Sequence, residues 1–136
     1  MTAILCIDSR NGLMFGGRRQ SRDRIVLEDI KELCHGRSLL VSAYTNRLFC
    51  QYGFSFQQLD PNFPEHAVPG DCCFFEEISI LTLMDKLNAI VLYQWNRAYP
   101  ADIYFDDRIL TNWTLTESKN FSGSSHETIT RKVYKR

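Results

Sequence analysis

Two short, uninterrupted apolar runs bracket one amphipathic helical pattern, and this commits the first third of the chain to a parallel sheet. Ala3 to Ile7 is apolar throughout and stops at Asp8, as expected of a central strand buried on both faces. From Ile25 to Cys34, Val26, Ile30 and Leu33 recur at helical spacing, with Glu28, Asp29, Lys31 and Glu32 expected to face away. Gly36 stands where a helix C-terminal glycine belongs, and Ser38 to Ser42 reads as a second buried strand. A strand, crossover helix and strand in this order pair in parallel.

The rest of the chain completes the pattern. Arg10 to Arg24, with Asn11-Gly12 and Gly16-Gly17, reads as a polar loop, and Gly53 to Leu59 is a strand candidate. Asp60 to Asp71 contains Pro61, Pro64, Pro69 and Gly70 and reads as loop. Cys72 to Phe75 is a short apolar strand, Ile78 to Leu87 a short helix, and Ala89 to Tyr93 another buried strand. Trp113 to Phe121 and Glu127 to Tyr134 alternate in part and are joined by Ser122-Gly123-Ser124-Ser125, the pattern of an antiparallel hairpin. The expected architecture is α/β. A mostly parallel central sheet with flanking helices ends in a C-terminal antiparallel hairpin, all in one domain over residues 1–136.

Composition narrows the partners. Basic and acidic residues balance at 16 each, so nothing draws the whole chain toward nucleic acid or a membrane. No apolar run approaches the length of a bilayer span, and the cytoplasm is the expected compartment. The five cysteines, Cys6, Cys34, Cys50, Cys72 and Cys73, form no C-x-x-C pair and read as reduced, mostly buried thiols. His35, His66 and His126 lie far apart without ligand-like spacing, so no metal site is expected.

The last third carries a family resemblance. Leu92-Tyr93-Gln94-Trp95, then Ala101-Asp102-Ile103-Tyr104-Phe105, Trp113-x-Leu115 and a final strand ending Val133-Tyr134-Lys135-Arg136 resemble the end of bacterial dihydrofolate reductases. The N-terminal half fits the same template, with a first strand, a glycine-containing loop, a helix and Gly36-Arg37-Ser38-Leu39-Leu40-Val41. The segment from Tyr44 to Cys72 matches poorly. It reads as a shortened adenosine-binding part, at about residues 44–77, missing a strand or helix.

The resemblance implies hydride transfer from NADPH to a dihydropterin, with a buried carboxylate in the first helical turn binding the pterin and favouring its protonation. It also implies a substrate pocket lined by Ile4, Cys6, Val26, Ile30 and Tyr93. In this register Val26 takes the carboxylate's place, and losing one side of a charge-assisted contact costs about 1.5–3 kcal/mol. Asp29, one turn further on, and Tyr93 are the fallback proton donors. Asp29 reads more simply as a solvated helix carboxylate, and Asp23 as a residue favouring the helix N-terminus.

Other departures point the same way. Gln20-Ser21-Arg22 replaces the family's Leu-Pro-Trp, and Ser42-Ala43-Tyr44-Thr45 replaces its phosphate-gripping Gly-Arg-x-Thr, leaving Thr45 as the one retained cofactor-binding residue. Phe75-Glu76-Glu77 falls on the family's Gly-Gly turn, where two carboxylates would repel a pyrophosphate. Tyr93 replaces a pocket threonine. Asp102 is retained, with an implied role in loop packing. NADPH is therefore the implied cofactor, and these losses argue against its binding.

Arg18, Arg19, Arg22 and Arg24 form a candidate anion patch beside the implied cleft. No aromatic residue interleaves them, so a solvated loop is the simpler reading and nucleic acid is not expected. Ser125-His126 does not read as a hydrolase pair, because adjacent strand residues face opposite ways. Cys72-Cys73 and the aromatics Trp95, Tyr99, Tyr104 and Trp113 read as packing residues. The expected function is that of a catalytically degenerate dihydrofolate reductase-like protein, with an altered ligand or a protein partner. The alternatives are a diverged NADPH-dependent reductase of dihydrofolate, another pteridine or a small substrate, and a phosphate- or nucleic-acid-binding module.

Overall fold

Strand β1 (Thr2–Ile7) lies at the centre of the main sheet because every second side chain feeds a different hydrophobic layer. Ile4 joins one cluster with Val26, Ile30 and Phe49, and Cys6 packs against it. Ala3, Leu5 and Ile7 join the opposite cluster with Phe75, Leu83 and Leu87. A strand clothed on both faces must be apolar throughout, as this one is. The computed structural model describes residues 1–136.

β1 pairs in parallel with β6 (Cys72–Phe74) on one side and β7 (Ala89–Gln94) on the other, with Ile4 opposite Val91 and Cys6 opposite Tyr93. Outward from β6 lie β4 (Leu39–Val41) and β5 (Gln57–Leu59), also parallel. Beyond β7 the C-terminal hairpin, β9 (Thr114–Phe121) and β10 (Ile129–Lys135), adds antiparallel through β10. The seven-stranded order is β5-β4-β6-β1-β7-β10-β9, a mostly parallel sheet closed by an antiparallel hairpin.

Helix α1 (Arg24–Leu33) buries Val26, Leu27 and Ile30 against the sheet, and Gly36 follows it with φ +77°. Asp29, expected to face away, instead turns toward Tyr93. Helix α2 (Ala43–Gln51) was not expected. Tyr44, Thr45 and Asn46 are weak helix formers, but the Ser42 side chain caps the Thr45 N–H and Leu48 and Phe49 anchor the helix on the core. Residues 60–71 contain turns only. The helix anticipated from Ile78 to Leu87 is a 3-10 helix, Ile80–Lys86. The loop anticipated from Arg10 to Arg24 carries β2 (Gly12–Phe15) and β3 (Arg18–Arg19), which form a small second sheet with β8 (Ile103–Tyr104). Gly16 and Gly17 close that hairpin with φ +58° and +75°, a two-residue turn that side chains other than glycine rarely adopt. No helix is long and apolar enough to cross a membrane.

Candidate functional site

A cleft opens where the N-terminus of α1 meets β1, β6 and the segment from Arg19 to Asp23. Cys6, Val26, Phe74, Trp95, Asp23 and Glu76 are among its walls. Its free volume is about 20 Å³, room for roughly one water molecule. Of the five anticipated pocket residues, Ile4, Val26, Ile30 and Tyr93 share one buried cluster with Cys6 packed against it. Only Cys6 and Val26 line the cleft.

Behind that cleft a polar group is locked into the core. Tyr93 is fully buried, and its hydroxyl donates to Asp29 Oδ2 at 2.5 Å. Arg131 on β10 donates to the same oxygen through Nη1 at 2.7 Å and to Glu117 through Nη2. Asp29 is therefore a paired carboxylate with 16% of its side chain exposed, rather than a solvated one. Burial, reinforced by the Asp29 charge, pushes the Tyr93 phenol well above its ordinary range. The two fallback proton donors thus bind each other, away from the cleft.

The mouth is occupied by a second network. Arg19 Nε and Nη2 donate to the two oxygens of Glu76 at 2.8 and 2.9 Å. Thr45, fully buried, donates its hydroxyl to Glu76 Oε1 at 2.7 Å, and Ser42 donates to Glu77 at 3.0 Å. Two side-chain carboxylates thus take the hydroxyls at the N-terminus of α2, where the helix dipole favours negative charge. From the sequence alone Glu76 reads only as a carboxylate that repels a pyrophosphate. Its partner Arg19 lies 57 positions away, so no local signal reveals the pair.

Asp23 caps α1 by accepting from the N–H groups of Ile25 at 2.8 Å and Val26 at 3.2 Å. Its other oxygen accepts from the Ser125 N–H and hydroxyl, both at 2.7 Å. Burial alone would raise this carboxyl, but those bonds outweigh it and hold the group down at about 2. An aspartate just ahead of a helical pattern is a capping signal, so this role was readable.

Ser125 and His126 do touch, contrary to expectation, because they lie in the loop between β9 and β10 rather than on a strand. Ser125 Oγ is 2.7 Å from His126 Nδ1, and His126 Nε2 is 2.5 Å from the Tyr99 hydroxyl. Since Ser125 gives its one proton to Asp23, the imidazole donates to Oγ. This orientation cannot activate a serine nucleophile. Trp95 stacks on His126, whereas Tyr104, expected to pack, is 57% exposed.

The arginine patch divides. Arg18, Arg19 and Arg22 line one groove with Tyr44 and Arg47 of α2, while Arg24 lies over Tyr52 and Phe54. Aromatics missing from the loop itself are supplied by the helix beside it. At the opposite edge of the small sheet, Asp102 Oδ2 accepts from the Gly16 N–H at 3.0 Å, a loop-packing contact.

No family model matches the sequence, and no curated protein matches it. Among solved structures, dihydrofolate reductase from Enterococcus faecalis, complexed with NADP(H) and RAB-propyl, superposes with a TM-score of 0.67 at 12% identity. The match covers 99% of this chain and 95% of that one. The chain has the dihydrofolate reductase fold, and a likeness at this identity speaks for the architecture alone.

Proposed function

We propose that this is a dihydrofolate reductase-fold protein that does not carry out the reductase reaction and instead holds a different ligand or partner. One observation carries the reading. The cleft beside Val26 has only about 20 Å³ of free space, and Tyr93, paired with the cleft residue Cys6 across the sheet, is held by Asp29 and Arg131. A ligand pocket ordinarily needs several hundred cubic ångströms. The two carboxylates that line the cleft are engaged, Asp23 accepting four hydrogen bonds and Glu76 three, and Asp29 behind it accepts two.

The residues present do not fit NADPH. The Thr45 hydroxyl that would meet a cofactor phosphate is already donated to Glu76, and Glu77 holds Ser42. Bringing a diphosphate to that helix end means displacing two carboxylates or facing their repulsion. The alternative reading, a diverged reductase using Tyr93 or Asp29 as proton donor, needs a phenol freed from its buried pair, and burial disfavours its ionisation. Titrating the protein with dihydrofolate, which carries no phosphate, and following tryptophan fluorescence tests the proposal. No saturable change at millimolar dihydrofolate is expected, and saturation at micromolar dihydrofolate would overturn it.

A further inference from the structure

The groove between residues 18–22 and the outer face of α2 carries charge of one sign only. It measures about 710 Å³. Arg18, Arg19, Arg22 and Arg47 line it with Tyr44 and Gln51, and no acidic residue does. In a chain whose charges balance overall, such a concentration is a local feature. Arg19 is neutralised by Glu76. Arg18, Arg22 and Arg47 are exposed and make no ion pair. Like charges crowded into one groove repel each other, and a multivalent anion relieves that repulsion.

The groove is also held in shape. The Arg19 N–H donates to the Tyr44 hydroxyl at 2.9 Å, and the Arg19 guanidinium lies 4.3 Å from the ring centroid. Arg22 Nη1 donates to Gln51 at 3.0 Å, which ties the loop to the helix and leaves the rest of that guanidinium fork open. Arg18 comes from the loop wall and Arg47 from the helix wall, so cations face the groove from both sides. Planar guanidinium forks suit phosphate oxygens, which they can bind two at a time.

We infer that this groove binds a small ligand carrying a linear di- or triphosphate, either free polyphosphate or a nucleoside polyphosphate. A single-stranded nucleic acid is the poorer fit. The Tyr44 ring already carries Arg19 and Arg47, and Tyr52 carries Arg24, so the aromatic faces that would stack on bases are engaged. The inference names the ligand class for the binding role proposed above and rests on that reading. The two fail separately, since dihydrofolate binding and hydride transfer test one and phosphate binding, without pterin or nicotinamide, tests the other.

Isothermal titration of the full chain with inorganic triphosphate and with ATP provides the test. Saturable one-to-one binding is expected, weakening as salt is raised. Arg18→Ala, Arg22→Ala and Arg47→Ala should each weaken it by roughly tenfold or more, while Arg108→Ala, outside the groove, leaves it unchanged. Equal affinity for both ligands means that the phosphate chain alone is read; tighter ATP binding adds nucleoside contacts, and either result supports the site. No saturable heat with either ligand would overturn the inference. So would binding indifferent to the three substitutions, or binding confined to a single-stranded oligonucleotide.

Discussion

The Tyr93 hydroxyl and the Asp29 carboxylate lie 2.5 Å apart, joining the centre of the sheet to the helix that covers it. Arg131 completes the pair from the C-terminal hairpin, so three distant elements meet at one carboxylate oxygen. Such a group specifies how α1 sits on the sheet.

Removing the cation exposes the strength of this group. Arg131→Met leaves a mostly buried carboxylate supported by Tyr93 alone and is expected to cost about 2–4 kcal/mol. Glu117→Gln, which breaks only the more exposed arm, is expected to cost about 0.5 kcal/mol or less. Urea unfolding midpoints of the two variants check the difference. Equal losses would show that the buried arm does not carry the stability.

Acid should weaken the fold in part through Asp23. Its carboxyl sits at about 2 in the folded chain, below the ordinary value of 3.8. A depressed carboxylate contributes stability that is fully present above the unfolded value and is lost as pH falls toward the folded one. The window is therefore about pH 4 down to 2, and the contribution is on the order of 2 kcal/mol. Asp8 and Asp60, where hydrogen bonds outweigh burial, titrate low as well. The informative quantity is thus the gap in stability between wild type and Asp23→Asn. It is expected to narrow across that window, and a gap independent of pH would contradict the assignment.

Glu76 is expected to behave as a structural anion. Glu76→Gln leaves Arg19 without a charged partner and weakens the acceptor for the Thr45 hydroxyl, at a cost of about 1–3 kcal/mol. Raising sulfate should stabilise this variant more than wild type, because the site left behind favours an anion. Thermal melts at matched ionic strength, with sulfate against chloride, check this. Identical responses of the two proteins would count against it.

What the sequence made legible follows from how far each signal reaches. β1 and β7 were readable because strands buried on both faces must be apolar throughout. α1 was readable from its helical spacing, and the C-terminal hairpin from its alternation. α2 escaped because its propensities are poor and its stability comes from the Ser42 cap and from packing of Leu48 and Phe49. The inward turn of Asp29 depends on partners 64 and 102 positions away, which no local pattern encodes. Ser125 and His126 meet because a loop removes the alternation that strand residues obey. The arginines are plain in the sequence, but the aromatics beside them belong to α2, which has no strong local signal.

On the function proposed, the narrow cleft and the occupied helix end leave this chain without reductase chemistry. Mixing the purified chain with NADPH and dihydrofolate, and following loss of NADPH absorbance, tests it most directly. Consumption no faster than in a protein-free control is expected. Turnover of about one per second or more, within the ordinary range for enzymes, would contradict it.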